Sequence, residues 1–168
     1  PDSELMECAR RIYEYPEPDA TIAEVLLDQH VACGVGNVYR SEILWACEIS
    51  PMAPVSTLLP ADCVQIIHAA SRMLRSNLQH AYRITTSAIP GGLAVYGRNG
   101  QRCARCGDTV LVRRIGDHAR AMYWCPGCQV LHQPDAPSAD DTPREMDPHP
   151  AAAKYLADLP WRRDSLAG

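Results

Sequence analysis

Cys103, Cys106, Cys125 and Cys128 stand in a C-x2-C-x18-C-x2-C array. Two close thiol pairs suit a tetrahedral metal ion, each pair coming from one tight turn. Four thiolates leave no open coordination position, so one structural Zn2+ is expected, a staple and not a hydrolytic centre. Gly107 follows the second cysteine and Pro126-Gly127 separates the last two, both suited to metal-binding turns. Modules of this kind serve nucleic acids, protein contacts or mere stapling, so the array alone leaves function open.

A second candidate site is Gly34-Val35-Gly36-Asn37. A glycine-rich double turn between helices leaves unpaired backbone amides at the start of the second helix. Those amides and the helix dipole could hold a phosphate oxygen, with Gly34 and Gly36 letting it approach and Asn37 adding a donor. The plainer reading is an interhelical turn capped by Asn37. Six arginines, at 98, 102, 105, 113, 114 and 120, surround the cysteines, and guanidinium forks suit phosphate. A solvated charged hairpin would account for some of them equally well.

The net charge of −4 argues at first against a polyanionic partner. Its distribution argues the other way. Residues 1–33 hold two basic and eight acidic side chains, whereas 96–133 hold six arginines against two aspartates. Local sign matters more than the total for a polyanion. With 168 residues and 46% apolar content, the chain suits one domain or a domain with a small appendage. No apolar run reaches membrane-spanning length, and the acidic N-terminus is unlike a secretion signal. Cys8, Cys33, Cys47 and Cys63 lie singly in helical patterns and are expected as reduced thiols, which fits a cytoplasmic location.

The elements that must position these groups follow from pattern. Leu5, Cys8, Ala9 and Ile12 predict a helix over 3–13, ended by Pro16 and Pro18. Thr21-Ile-Ala-Glu24 is a capping box opening a helix to about Ala32. After the glycine turn, a helix from Asn37 should run to about Ile49. From Pro60, the stripe Val64, Ile67, Ala70, Met73, Leu74 and Leu78 predicts a long amphipathic helix. Val110–Val112 and Ala121–Trp124 suit a hairpin between the cysteine pairs. The expected class is α plus small β, with a helical domain at 1–90, a zinc finger at 91–133 and a flexible tail at 134–168.

Several segments together closely resemble one family. They are Leu26-Leu-Asp-Gln29, Gly34-Val-Gly-Asn37, Tyr39-Arg-Ser-Glu42-Ile-Leu-Trp45, Val95-Tyr-Gly-Arg98 and Arg120-Ala-Met-Tyr-Trp-Cys-Pro-Gly-Cys-Gln129. In order and spacing they are similar to the formamidopyrimidine-DNA glycosylase and endonuclease VIII family, nearer the endonuclease VIII side. The segments would be its helix–two-turn–helix domain and C-terminal zinc finger. The resemblance implies that Asn37 grips backbone phosphate and that Tyr96, in the stretch ending at Arg98, gives its hydroxyl to another. Arg120 would stand at the finger tip beside an extruded nucleotide. Arg40 and Glu42 match positions near the cleft.

The resemblance also implies duplex DNA with a damaged base or abasic site as partner, a monomeric chain and a bacterial cytoplasm beside the nucleoid. Family chemistry belongs to an N-terminal half, where a chain starting Pro-Glu uses its proline amine on the sugar carbon and a lysine assists. This sequence starts Pro1-Asp2-Ser3 and enters a helix, and its only lysine is Lys154. No catalytic residue is therefore assigned. The expectation is the DNA-gripping half of a DNA glycosylase and AP lyase, inactive without its catalytic half. The alternatives are an adaptor binding nucleic acid or protein, and a zinc module with no DNA affinity.

Overall fold

The computed structural model of the chain describes residues 2–78, 85, 91–116 and 118–134. Pro1 and the expected tail beyond Pro134 lie outside these, as do residues 79–84, 86–90 and 117. Four helices, a single 3-10 turn and one hairpin make up the described elements: α1 (Asp2–Tyr13), α2 (Ile22–Val25), α3 (Asn37–Ala46), the turn at Val55–Thr57, α4 (Pro60–Asn77), β1 (Leu111–Ile115) and β2 (Arg120–Trp124). Among them no helix is long and apolar enough to cross a membrane.

Helix α1 turns Ala9 and Ile12 into the core, with Leu5 and Cys8 partly buried beside them, and lies along α4. Its outer face carries Arg10 paired to both Glu7 and Glu14, exposed pairs that add little. The capping box forms as expected: Thr21 Oγ1 accepts the Glu24 amide at 3.3 Å, and the Glu24 carboxylate accepts the Thr21 amide at 3.3 Å. The helix it opens is far shorter than expected and ends at Val25, not Ala32. Local competition explains the stop. The Asp28 carboxylate takes the His30 amide at 2.9 Å and the Tyr15 hydroxyl at 2.9 Å, so the chain closes into tight turns instead.

Helix α3 also stops early, at Ala46 and not Ile49. Glu48 adopts a left-handed backbone (φ 60°), its amide reaches the Trp45 carbonyl at 3.2 Å, and the Ile49 amide reaches that of Leu44 at 3.1 Å. This double bond is a Schellman stop, made here without glycine. Helix α4 has Pro60 in its first turn, and the Asp62 carboxylate accepts the Leu59 amide at 2.9 Å. Its buried face is Cys63, Ile66, Ile67, Ala69, Ala70 and Met73, rotated from the expected stripe, and Leu78 is 82% exposed. Burial pushes the Cys63 thiol up to about 12, with the Asp62 charge adding to it, so it is an inert apolar filler.

The hairpin is longer than expected, pairing Leu111 with Trp124 through to Ile115 with Arg120 in antiparallel register. Its inner strand buries Met122 and Trp124 against α3, while β1 is largely exposed. One apolar cluster thus runs from Ile12 and Ile66 through Trp45 to Val110 and Met122, so helices and hairpin share a core. Ile66 is fully buried within it. Ile66→Ala should lower the unfolding free energy by about 2–5 kcal/mol in urea denaturation.

Candidate nucleic-acid interface and metal centre

Gly34 has φ +90°, a left-handed backbone that favours glycine, and its amide reaches the Gln29 side-chain oxygen at 3.4 Å. Gly36 is different. It is the N-cap of α3 with φ −108°, which any residue adopts, and a Cβ there would meet nothing within 4 Å. Neither conformation nor internal packing demands glycine at 36, so its value is the open ground above the helix start. The Arg40 amide closes the first turn on the Gly36 carbonyl at 2.9 Å, leaving earlier amides for another acceptor.

Asn37 is not the cap expected from its type. It is the first residue inside α3, and no side chain caps Gly36. Its Oδ1 is buried without a hydrogen-bond partner among the described residues. The unpaired atom is an acceptor, so only Nδ2 of this side chain could meet a phosphate oxygen.

Two charged residues of α3 are fully buried, and each is spent on backbone. Arg40 donates to the Ala23 carbonyl at 2.9 Å, to that of Arg120 at 3.1 Å and to that of Ala121 at 3.4 Å. It therefore ties α3 to α2 and to the start of β2. No carboxylate lies within 4.0 Å of it among the described residues, and burial lowers its pKa to about 10, with the like charge of Arg120 adding to the effect. Glu42 works in the opposite sense. Its carboxylate accepts the Ala94 amide at 2.6 Å, the Val95 amide at 2.9 Å and the Tyr96 amide at 3.2 Å, together with the Thr85 hydroxyl. Burial pushes the Glu42 carboxyl up, and these four donors pull it back.

The clamp on residues 94–96 places Tyr96, whose ring meets Tyr123 edge-on at 4.9 Å. Arg98 turns inward on its own loop, donating to the Ala94 carbonyl at 2.6 Å, the Arg102 carbonyl at 2.9 Å and Gln101 Oε1 at 3.0 Å. Arg120 opens β2 directly after the hairpin turn and is exposed. A half-open cavity of about 670 Å3 has Val35, Gly36, Arg40, Glu24, Gly116 and Arg120 in its wall. The glycine turn and the arginine of the hairpin therefore face one concavity, although 84 residues apart in sequence.

The four array cysteines also come together. Their sulfurs all lie within 4.8 Å of one another, with Cys103 to Cys128 at 3.9 Å and Cys106 to Cys125 at 3.4 Å. A tetrahedral ion with bonds of about 2.3 Å needs edges of about 3.8 Å, so the donor set fits a four-thiolate metal site. Hydrogen bonds from Cys125 and Cys128 hold the Cys103 thiol far below its ordinary value, and Cys103 in turn pushes those two up. Such crowding of ionisable sulfurs is relieved when a cation joins them. A Cβ on Gly127 would lie 1.8 Å from the Asp108 carboxylate, so a larger residue there would force the Asp108 side chain to shift. Gln129, which sequence patterns did not single out as a site residue, accepts the Cys125 amide at 2.7 Å and donates to the Ile49 carbonyl at 3.2 Å.

The family model described as the formamidopyrimidine-DNA glycosylase H2TH domain matches residues 1–88, just over half the chain. The chain belongs to this family. Among its relatives, the DNA-(apurinic or apyrimidinic site) lyase Nei2 of Mycolicibacterium smegmatis is 43% identical over 116 residues, which are 68% of this chain and 44% of that protein. The formamidopyrimidine-DNA glycosylase of Corynebacterium aurimucosum is 39% identical over 118 residues, 64% of this chain and 41% of that protein. The crystal structure of Lactococcus lactis Fpg with DNA containing an abasic site superposes with a TM-score of 0.62 at 24% identity, over 73% of this chain and 45% of that one. That likeness shows a shared fold. The H2TH family chain thus spans less than half the length of these relatives, and it leans to the endonuclease VIII side as the sequence motifs implied.

The family resemblance placed Arg40 and Glu42 near a cleft without a role for either. The usable signal was three polar residues, Arg40, Ser41 and Glu42, set inside an otherwise apolar helix that turns out buried. Glu42→Ala would leave three buried amides facing an empty slot and should lower unfolding free energy by at least about 3 kcal/mol in urea denaturation. Thr85→Ala, which removes one donor and keeps the carboxylate, should cost about 1 kcal/mol in the same measurement.

Proposed function

We propose that this chain is the DNA-gripping part of a base-excision-repair DNA glycosylase and AP lyase, holding backbone phosphates around a damaged or abasic nucleotide. One observation carries the reading: Gly36, at the glycine turn of α3, and Arg120 line the same cavity. Amides at a helix start and an arginine fork are complementary to two phosphates of one strand. Asn37 would supply its side-chain Nδ2–H at the turn, and the Glu42 clamp fixes the backbone of Tyr96, whose hydroxyl would meet another phosphate. Arg98 takes part by knitting that loop. Holding a nucleotide outside the stack costs a few kcal/mol, and phosphate contacts offset it. Relatives named as an AP lyase and a glycosylase, and Fpg solved with abasic-site DNA, support this substrate class. A DNA partner in turn favours the bacterial cytoplasm.

In this reading residues 1–90 are the helix–two-turn–helix domain and 91–133 the zinc finger, a monomer working beside a catalytic half. Cys103, Cys106, Cys125 and Cys128 hold one zinc ion. The ion supplies no chemistry on DNA; it fixes the root of the hairpin so that Arg120 keeps its place. The sugar chemistry belongs to the catalytic half. The chain by itself should form no covalent adduct with an abasic-site oligonucleotide under borohydride.

Binding and metal measurements test this. In fluorescence anisotropy with an abasic-site duplex, Asn37→Ala and Arg120→Ala should each weaken binding about tenfold with no change in melting temperature. The logarithm of the binding constant should also fall linearly with that of salt concentration. Unchanged affinity in both variants, or salt-insensitive binding, would favour the adaptor and overturn the phosphate grip. Elemental analysis should find about one zinc per chain, and its removal by chelator should lower the melting temperature.

A further inference from the structure

Arg105 lies between Cys103 and Cys106, and its side chain is wholly buried. Its guanidinium stacks on Trp45 with 4.0 Å from Cζ to the ring centre, and one nitrogen donates both to the Trp45 carbonyl at 2.7 Å and to Cys128 Sγ at 2.9 Å. Trp45, 1% exposed on α3, donates its indole N–H to Cys103 Sγ at 3.3 Å. Arg105 Nε and Nη1 have no hydrogen-bond partner among the described residues, and the carboxylate facing Nε, that of Glu48, stands off at 3.7 Å. A buried guanidinium so thinly paired is costly beside four neutral thiols. Beside four thiolates around a divalent cation it meets a net charge of about −2, which it offsets.

We propose that Arg105 and Trp45 are positioning residues for the metal centre, donating to Cys128 and Cys103 and binding the charge of the thiolate cluster to helix α3. The inference rests on reading the four cysteines as a zinc site. It joins the two halves of the proposed grip, because α3 begins at the glycine turn and the cluster anchors the hairpin that carries Arg120. The left-handed backbone at Glu48 fits the same arrangement. It ends α3 just past Trp45 and leaves the Glu48 carboxylate on the outer side of the guanidinium.

The test uses the 168-residue chain. Arg105→Gln should release zinc to an excess of a chromogenic chelator at least about tenfold faster than the native chain, as removal of a ligand's hydrogen-bond partner commonly does. Arg105→Lys, which keeps the charge but loses the stacked fork, should be intermediate. Trp45→Phe keeps a ring and removes the N–H on Cys103. With cobalt(II) in place of zinc, the sulfur-to-cobalt charge-transfer band should move to longer wavelength in Arg105→Gln and Trp45→Phe, because sulfurs relieved of donors give up electrons more easily. Glu48→Gln, which touches the guanidinium away from the sulfurs, should leave the band in place. A purely structural role would speed release in the variants without moving the band. If Arg105→Gln does not fold, Arg105→Lys and Trp45→Phe carry the test. Stoichiometric zinc in the native chain, with unchanged release and an unmoved band in those two, overturns this inference alone; absence of bound metal from the folded native chain overturns the zinc reading beneath it.

Discussion

Everything that α3 presents depends on its being unable to rotate or slide, and two buried charges enforce that. Glu42 captures three consecutive amides of the segment 94–96, while Arg40 reaches carbonyls of Ala23, Arg120 and Ala121. One side chain collects donors and the other collects acceptors, so the same helix is latched to segments that approach it from different sides. Apolar packing alone would tolerate a small rotation of α3, since it is non-directional. Hydrogen bonds to fixed backbone groups would not, because each unmade bond in a buried site carries its full desolvation cost. The latches therefore give the start of α3, where Gly36 and Asn37 sit, a defined orientation relative to the hairpin.

The same logic extends to the opposite end of the helix. Trp45 faces the cysteine cluster, with its N–H on Cys103 and its carbonyl and ring both engaged by Arg105. Ser41, between the latches, accepts the Tyr123 amide of β2 at 3.3 Å. Along ten residues α3 thus touches the glycine turn, the clamped loop, the inner strand and the cysteine turns. The small hairpin has only two strands and an exposed outer face, so it has little stability of its own. Its root is held by the cysteine turns and its flank by α3. The four-cysteine cluster and a helix share the work that a larger sheet would otherwise do.

Electrostatics and shape then agree. The acidic excess of the chain lies in residues 1–33 and, to a smaller extent, from 134 onward, and the arginine excess lies in 96–133. Arg40 and Arg120 both line the cavity, and burial first, with the like charge of Arg120 second, lowers the pKa of Arg40. An anion entering there would relieve that repulsion. Glu24, on the same wall, belongs to the capping box and is committed to the start of α2. Glu17 lines the wall as well, so the cavity carries both signs, with Arg40 and Arg120 sharing it with the glycine turn.

Local chemistry was legible in the sequence. The cysteine spacing, the capping box at Thr21 and Glu24, Pro60 at a helix start and the glycine turn all act over a few residues, so their patterns carry through to the structure. The early stops of α2 and α3 were not legible, because an Asp28 side chain and a left-handed Glu48 decide them against a continuing apolar pattern. The exact face of α4 was equally hidden, being set by what packs on it from α1 and α3.

Residue types fixed which groups could bind phosphate or metal. Only the tertiary structure brought Gly36 and Arg120 to one cavity, turned Arg98 inward and set Arg105 over Trp45. The physical reason is range. Caps, turns and chelating loops are chosen by neighbours along the chain, whereas a buried charge finds its partners only when distant segments have closed around it.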